Sequence, residues 1–299
     1  MNQSSHVQSI RHVTLILNPA ARQGAEWADE IKKELENCRT TSVKMLTPSR
    51  EEYTEAILSH AKETDVFAIA GGDGTLNLAL EGLILSAKPL LILPLGTANN
   101  LARNLKIPND VPSACRVLQE GQLQWIDVGR VNGLYFLNVA GLGLSTQINR
   151  HVDPVAKKRF GVFAYIYFAW KVARRMNPFS VWIETHGIVR KIKALQVSVC
   201  NGRYYGSGLI AAEDASISDG ILNLIGTQVD RWWKALNLIP ALLRGQHKTK
   251  EEILSLQSDS FILRTKRPMH LDVDGDIKTK TPARFELLAH QLKVFVPLA

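Results

Sequence analysis

The rhythm of hydrophobic and polar positions changes about 126 residues into the chain. Before that point, short apolar runs of strand length alternate with segments of helical spacing, as where residues 66–70 precede residues 76–85. Such alternation predicts an α/β domain, a parallel sheet with helices on both faces. Ligands in these folds bind beyond the carboxyl ends of the strands, so the important loops are those that follow Leu17, Leu46, Ala70 and Leu93.

The second half of the chain has short β-rich runs separated by Gly, Asn and Asp turns, such as Leu195–Val199 and Leu292–Val296. Many strands without intervening helices predict a mostly β second domain, a sandwich or barrel. Helical spacing interrupts this pattern near residues 155–176 and 229–244. In both segments aromatic and aliphatic residues are joined to basic ones, which suits either a membrane interface or packing on the sandwich.

Composition limits the partners of the chain. It has 299 residues, is 45% hydrophobic and carries a formal net charge of +8, so it suits nucleotide phosphates, an anionic membrane or nucleic acid. Nucleic acid is not expected, because the basic residues are dispersed and no recognition helix is evident. The three scattered cysteines, Cys38, Cys115 and Cys200, predict free thiols in a reducing compartment. No signal-peptide core or membrane-length apolar run is present, so we expect a cytoplasmic protein, at most peripheral on the inner face of the membrane.

The glycine-rich stretch Gly71–Asn77 lies between a predicted strand and a helix that we expect from Leu76 onwards. Glycine lets backbone N–H groups approach a ligand, and the start of a helix adds partial positive charge, so the stretch predicts a phosphate site. Asp73 places a carboxylate where a ribose, water or Mg²⁺ could meet it. No Gly-Lys-Ser/Thr follows, which excludes a P-loop. A tight turn with a helix cap is the alternative, but Gly96–Asn100 repeats the same pattern after the next strand.

A second constellation is acidic. Asp272, Asp274 and Asp276 alternate with apolar residues, so in one strand their carboxylates would share a face. Clustered like charges raise one another's pKa, which helps a carboxylate accept a proton. A calcium-binding EF-hand is excluded, because glycine stands at position 4 and Ala283 at position 12. A polar strand face that ends in an Asp-Gly turn is the alternative.

Two other features carry less chemistry. Gly141 and Gly143 hint at a dinucleotide fingerprint, but Thr146 stands at the third glycine position, and we interpret the segment as a structural turn. The segment Thr47–Ser49 is expected to open a helix that runs through Leu58.

Together these motifs resemble a known family. Gly71–Asn77 and Leu93–Asn100 are similar to the diacylglycerol kinase catalytic domain, in particular that of the soluble bacterial YegS/BmrU-type lipid kinases. The resemblance continues in order through Asn201–Gly206, Ser218–Leu222 and Asp274–Asp276. It implies a nucleotide-binding domain at 11–128 after a flexible tail at 1–10, and a β-sandwich lipid-substrate domain at 129–299. The final strand can belong to either domain, including the first. ATP and the lipid would meet in a cleft between the two domains.

The resemblance also implies site residues. Asp276 corresponds to the general base. Ser216, Asp219 and Ile221 correspond to a structural metal site of oxygen ligands, which suits Mg²⁺ or Ca²⁺. The positions that match nucleotide contacts are Asn18, Thr47, Gly71, Gly72, Asp73, Gly74, Thr75, Leu76, Asn77 and Thr97.

Three positions depart from the family pattern. Asn100 and Asn223 stand where aspartate is usual or frequent, and Asp276 stands where glutamate is usual. The sequence therefore predicts an ATP-dependent, Mg²⁺-requiring kinase that acts on a hydroxyl of a diacylglycerol-like lipid at an anionic membrane. A catalytically weak nucleotide-binding membrane regulator and a kinase with a soluble acceptor are the alternatives, and a homo-oligomer is left open.

Overall fold

A computed structural model of the chain describes residues 10–18, 24–38, 40, 42–151, 176–205, 209–210, 215–229 and 252–298. They belong to two compact units, one of Met1–Ile126 with His290–Ala299 and one of Asp127–Ala289. The helices expected near 155–176 and 229–244 lie almost entirely outside the described residues, as does nearly all of the predicted tail.

Strands and helices alternate in the first unit. A short 3-10 turn, Ala61–Glu63, follows the second helix, and the last strand of this series continues into the second unit. In chain order the elements are β1 (His12–Leu17), α1 (Gly24–Asn37), β2 (Ser42–Leu46), α2 (Tyr53–His60), β3 (Val66–Gly71), α3 (Asp73–Ser86), β4 (Leu90–Pro94), α4 (Asn100–Asn104), α5 (Val111–Glu120) and β5 (Gln122–Val131).

The sheet of the first unit is parallel, as predicted, with the strand order β2–β1–β3–β4. All six residues of β3 and all five of β4 are buried, which is why these strands are apolar without alternation. Helix α1 packs with α5, and α2 packs with α3. The carboxyl ends of the four strands therefore lie at one edge of a sheet that is covered by helices.

One helix boundary differs from the prediction. The helix expected to open at Thr47–Ser49 begins only at Tyr53. The N–H of Ser49 donates to the Glu52 side chain at 3.0 Å, and the N–H of Glu52 donates to the carbonyl of Ser49 at 3.1 Å. These two bonds close a turn ahead of the helix, so the loop after β2 is longer than the sequence pattern indicated.

The second unit is built mainly from β-strands, and none of the helices in the described parts of the chain is long and apolar enough to cross a membrane. Its elements are β6 (Leu134–Phe136), β7 (Val139–Gly143), α6 (Leu144–His151), β8 (Phe179–Thr185), β9 (Ile188–Ala194), β10 (Gln196–Asn201), β11 (Tyr204–Tyr205), β12 (Leu209–Ile210), β13 (Leu222–Thr227), β14 (Ile253–Ser258), β15 (Ser260–Thr265), β16 (His270–Val273), β17 (Asp276–Lys280) and β18 (Ala283–Val296), whose end belongs to the first unit.

The predicted sandwich is confirmed. One layer has the antiparallel order β18–β15–β8–β9, and the other has the order β14–β13–β10–β7–β16–β17. A shared apolar core includes residues from both layers, among them Leu142, Val199 and Leu263. Within it Phe136 meets Phe285 edge to face, with ring centroids 6.3 Å apart. Buried and less buried residues alternate along β8 and β15, which fixes their register on the core. In the other layer β10 and β13 are buried along nearly their whole length.

The glycines at 141 and 143 do not form the expected turn. Both lie within β7, where a side chain on Gly141 would come within 2.7 Å of the Val197 carbonyl oxygen. Gly143 has a φ of +113°, and a Cβ there would lie 2.2 Å from the carbonyl oxygen of Leu195. Close packing of β7 on β10 explains both glycines without a dinucleotide.

The three cysteines are free thiols, as predicted. Cys115 and Cys200 are buried, and burial raises the pKa of Cys115 to about 12. These thiols are therefore packing residues rather than nucleophiles.

Candidate active site

The carboxyl ends of the four parallel strands collect most of the residues that the sequence singled out. Asn18 follows β1, Thr47 follows β2, Gly72 follows β3 and Gly96 lies just after β4. Because neighbouring strands are parallel, these residues lie at the same edge of the sheet. The edge is the position where α/β folds bind ligands.

The glycine stretch is tighter than the sequence suggested. Gly71 is the last residue of β3, helix α3 begins at Asp73, and only Gly72 lies between them. The N–H groups of Thr75 and Leu76 donate to the Gly72 carbonyl at 2.9 and 3.1 Å. Gly74 to Asn77 thus belong to the start of the helix rather than to a loop, so the first N–H groups of α3 and its dipole are aimed at this edge.

The two glycine motifs lie against each other. A Cβ on Gly96 would be 2.6 Å from the Cα of Gly72, and a Cβ on Gly72 would be 3.0 Å from the Cα of Gly96. Gly71 is restricted as well, because its Cβ would meet the Thr75 hydroxyl oxygen at 2.5 Å. Glycine is therefore required for close packing at these three positions, whereas a Cβ on Gly74 would meet nothing within 4 Å.

Asp73 joins the two motifs. One oxygen of its carboxylate accepts the N–H of Asn100 at 2.9 Å, and the other accepts the N–H of Leu101 at 3.1 Å. Asn100 and Leu101 open helix α4, so the carboxylate caps that helix and compensates its dipole. The side chain expected to meet a ribose, water or Mg²⁺ thus also has a structural role that the sequence did not reveal.

Two asparagines complete this arrangement. Asn18 Nδ2 donates to the Thr75 hydroxyl at 2.9 Å, which ties the end of β1 to the start of α3. Asn99, absent from the predicted site, has a φ of +48°; its Oδ1 accepts the Gly96 N–H at 3.0 Å and its Nδ2 donates to the Gly96 carbonyl at 3.1 Å. The signal for Asn99 was available, since asparagine tolerates positive φ better than most residues.

Three further side chains at this edge are placed as follows. Thr97 is exposed beside Gly96, and Thr47 is exposed at the end of the outermost strand, in a recess of about 390 Å³ that Glu52 and Glu55 also line. Asn100 is buried at the start of α4, and none of the described residues donates a hydrogen bond to its Oδ1. The structure thus brings Asn18, residues 71–77 and residues 96–101 together and leaves Thr47 further along the edge.

The three acidic residues of the second unit do not share one strand face. Asp272 is buried in β16, while Asp274 and Gly275 form a turn with φ values of +48° and +97°. Asp276 is exposed at the start of the next strand, β17. The prediction of a single strand was wrong, because Asp-Gly with two positive φ angles is a hairpin turn signal that overrides the alternation.

The carboxylates of Asp272 and Asp274 accept hydrogen bonds from backbone N–H groups. Asp274 accepts the N–H groups of Leu137, Asn138 and Val139 at 2.7 to 2.9 Å, and Asp272 accepts the N–H of Gly275 at 3.0 Å. The Asp274 bonds fix the β16–β17 hairpin to the chain at the start of β7, and the Asp272 bond closes the turn of the hairpin itself. Among the three residues, Asp276 has the most exposed position for contact with a ligand.

The predicted metal residues Ser216, Asp219 and Ile221 lie in one loop. Asp219 accepts the N–H of Ser216 at 2.9 Å and that of Ile221 at 3.0 Å. The loop rests on Asp127, a buried carboxylate that accepts the N–H of Gly220 at 2.8 Å and that the sequence analysis missed. Asp127 sits between apolar neighbours in β5, and nothing in the local pattern separates it from an ordinary strand residue.

The loop fits a hard cation only through oxygen ligands. In the part of the chain that the structure describes, no group of three or more His, Cys, Asp or Glu side chains is arranged to hold a metal. Backbone oxygens and the Asp219 carboxylate are the remaining donors, a set that suits Mg²⁺ or Ca²⁺ rather than a transition metal.

Comparison with known proteins follows the same division of the chain. A sequence model described as the diacylglycerol kinase catalytic domain matches residues 12–131, and one described as the YegS C-terminal NAD kinase beta sandwich-like domain matches residues 138–296. Among relatives, a Staphylococcus saprophyticus diacylglycerol kinase is 31% identical over 82% of this chain and 81% of its own length. A Staphylococcus aureus diacylglycerol kinase is 30% identical over 78% and 75%.

A solved structure agrees with the fold. A Bacillus anthracis protein assigned as a diacylglycerol kinase superposes with a TM-score of 0.84 and 25% identity, over 99% of this chain and 98% of that one. The two matched domains and the relatives together confirm the resemblance found in the sequence. The chain belongs to the diacylglycerol kinase catalytic-domain family of lipid kinases.

Proposed function

We propose that the protein transfers the γ-phosphoryl group of ATP to a hydroxyl of a diacylglycerol-like lipid. The observation that carries the proposal is the close contact of Gly72 with Gly96, which brings the starts of helices α3 and α4 to one edge of the sheet. Helix starts with glycine beside them bind phosphate through backbone N–H groups and the helix dipole.

In this proposal the nucleotide contacts come from the residues at that edge. The backbone N–H groups around Gly72 and Gly74 would donate hydrogen bonds to phosphate oxygens, and the exposed Thr97 hydroxyl would donate one to the nucleotide. Asp73 would act as a positioning residue, because its carboxylate binds the second motif to the first. Asn99 would do so within the second motif, where its side chain fixes the turn at Gly96. Thr47, at the outer end of the edge, would contact a part of the nucleotide away from the phosphates.

Asp276 is proposed as the general base that takes the proton from the lipid hydroxyl. It is exposed at the start of β17, whereas the neighbouring carboxylates of Asp272 and Asp274 hold backbone. Its side chain is one methylene shorter than that of the usual glutamate, so the hydroxyl must come closer or a water must relay the proton. A bound Mg²⁺ would supply neutralisation of charge on the β- and γ-phosphoryl oxygens.

The assay that tests the proposal offers ATP and Mg²⁺ with mixed lipid vesicles and identifies phosphorylated lipids by mass spectrometry. Parallel reactions replace ATP with GTP, omit the vesicles, or offer soluble alcohols. Lipid phosphorylation that depends on vesicles is expected. Turnover of a soluble acceptor without vesicles would contradict the lipid assignment.

The position of Asn100 supports one second candidate. Asn100 stands where the family pattern has aspartate, and it is buried at the start of α4 next to the Asp73 carboxylate. A missing negative charge beside the phosphate edge would weaken metal binding, so the alternative is a membrane regulator that binds ATP with little turnover. It predicts ATP binding and vesicle binding without any phosphorylated lipid.

A further inference from the structure

Strand β9 is the edge strand of one layer of the sandwich and exposes two aliphatic side chains to solvent. It is the last strand in the order β18–β15–β8–β9. Ile188 and Val189, its first two residues, are 71% and 55% exposed. Few large aliphatic side chains elsewhere in the described chain are this exposed, and two in succession at a strand edge favour self-association unless another surface covers them.

Cations follow these two residues directly. Arg190, Lys191 and Lys193 are all exposed on the same strand. None of the carboxylates that the structure describes forms an ion pair with them. The nearby acidic residues have other partners: Glu184 pairs with Arg264, and Asp259 lies 3.5 Å from His186 Nε2. The edge strand therefore carries positive charge without a nearby counter-charge, and this charge directly follows the apolar residues Ile188 and Val189 at the start of β9.

Protection of the sheet edge does not explain the whole pattern. Lysine and arginine on an edge strand discourage pairing with another chain, and this accounts for Arg190, Lys191 and Lys193. It does not account for Ile188 and Val189, because exposed aliphatic residues beside the turn of an edge hairpin promote the association that the cations oppose. A partner surface that is both apolar and anionic satisfies both halves of the pattern.

The end of the hairpin is held in place. His186 and Gly187 form the turn between β8 and β9 with φ values of +46° and +78°, which is typical of a two-residue hairpin. The Thr185 hydroxyl donates to Ser258 Oγ at 2.7 Å and lies 2.9 Å from the Ser260 carbonyl oxygen. These bonds anchor the end of β8 to the turn between β14 and β15, so Ile188 and Val189 project from a fixed support.

An aromatic side chain adds to the face of the hairpin that carries Val189, Lys191 and Lys193, since side chains alternate along β9 and Ile192 faces the core. Trp182 lies directly across from Lys191 in the β8–β9 pairing, and the Lys191 ammonium is 5.0 Å from the centre of its ring. Tryptophan and lysine or arginine are the side chains that favour the boundary between lipid headgroups and water. Along a strand that rises about 3.3 Å per residue, Arg190 and Lys191 lie about 3 to 7 Å behind Val189.

We propose that the β8–β9 hairpin (Phe179–Ala194) docks the protein on an anionic lipid bilayer. Ile188 and Val189 enter the headgroup region, and Arg190, Lys191 and Lys193 bind the anionic headgroups behind them. The choice of a bilayer as partner rests on the proposed lipid kinase function, since a lipid substrate has to be met at a membrane. The hairpin itself is defined by its exposure and charge alone.

The test measures sedimentation of the full chain with vesicles of phosphatidylcholine containing 30% phosphatidylglycerol, in the absence of ATP. We expect I188S/V189S to bind roughly tenfold more weakly, because two aliphatic side chains no longer leave water. We expect R190Q/K193Q to lose roughly fivefold per cation and to show a smaller dependence on salt. Lys191 is left intact because of its contact with Trp182.

Matched controls separate this surface from the general positive charge of the protein. L85S removes a side chain that is 60% exposed at the end of α3, and K32Q/K33Q removes two exposed charges from α1. Both controls should bind anionic vesicles nearly as the wild type does. Melting temperatures close to that of the wild type show that all variants are folded.

Two results would overturn the proposal. One is wild-type vesicle binding by both hairpin variants. The other is loss of a dimer, seen by light scattering, with vesicle binding unchanged, which would make β9 a contact between copies of the chain. Because no phosphoryl transfer is measured, failure of the kinase assay leaves this test unaffected.

Discussion

Gly72 and Gly96 lie back to back, and neither has room for a side chain. A Cβ on Gly96 would be 2.6 Å from the Cα of Gly72 and 2.6 Å from Asn99 Oδ1. Backbone yields less easily than the end of a side chain, so the two strand-to-helix connections form one packed unit. This contact, rather than either motif alone, defines the candidate phosphate site.

We predict that Gly96→Ala destabilises the first unit by about 1–3 kcal/mol, because the added methyl group overpacks a backbone contact. ATP binding should fall as well, since the two motifs are forced apart. Scanning calorimetry and titration of ATP measure the two effects.

Gly74→Ala is the matched control. A Cβ there meets nothing within 4 Å, and the residue lies in α3, so alanine should stabilise the protein by about 0.5–1 kcal/mol. If phosphate approaches this backbone, ATP binding should nevertheless fall. Equal loss of stability in G74A and G96A would refute the importance of the Gly72–Gly96 contact.

We predict that Asp73→Ala lowers the free energy of unfolding by about 1.5–3 kcal/mol, because two backbone N–H groups lose a charged acceptor. Asp73→Asn keeps one carbonyl oxygen and should have an intermediate effect. Urea denaturation, monitored by a spectroscopic signal that reports on the first unit, measures this change in the free energy of unfolding. Wild-type stability in D73A would show that the cap on α4 contributes nothing.

The sequence predicted the architecture well because burial patterns are local. The apolar run Val66–Ala70 became a buried parallel strand, and the β-rich second half became a sandwich. The contacts of the site were not predictable in the same way, because they join residues that are distant in sequence. No pattern near Asp73 shows that its carboxylate caps a helix after the next strand.

Local patterns also competed with one another. Alternation at Asp272, Asp274 and Asp276 indicated one strand, whereas Asp274-Gly275 is a turn signal, and the turn prevailed. The reason is energetic: Asp274 in the left-handed region accepts three backbone N–H groups that an extended strand would leave to other partners. A second local pattern was also overridden at Gly72. A longer loop was expected there, but helix α3 begins directly after this residue, which places the positive end of the helix dipole at the edge of the sheet.

We predict a pH dependence at the start of α5. Asp110 Oδ1 accepts the N–H of Ser113 at 2.9 Å, and its hydrogen bonds with Ser113 lower the pKa of the carboxyl group. A lowered pKa in the folded state means that the stabilisation is present above the pKa of the unfolded chain and is lost as pH falls through the folded value.

Asp110→Ala should therefore cost about 1 kcal/mol near pH 7, typical of a lost N-cap. The difference from the wild type should shrink as pH drops below about 4, where carboxyl groups become protonated. Asp110→Asn, which caps without charge, should show no such pH dependence. Thermal unfolding across pH 3 to 7 provides the measurement, and a constant difference between wild type and D110A would contradict it.

Asp276 allows catalysis to be separated from folding. If it is the general base, Asp276→Ala should lower kcat for lipid phosphorylation by about 10²- to 10⁴-fold. Its melting temperature should hardly change, because the residue is exposed at the start of β17. Asp276→Glu keeps the carboxylate and restores the length usual in the family, so it should retain most of the activity.

Asp274→Ala is the opposite control: it should lower the melting temperature because three N–H groups lose their acceptor. Full activity in D276A, measured with lipid vesicles and ATP, would remove Asp276 from the mechanism.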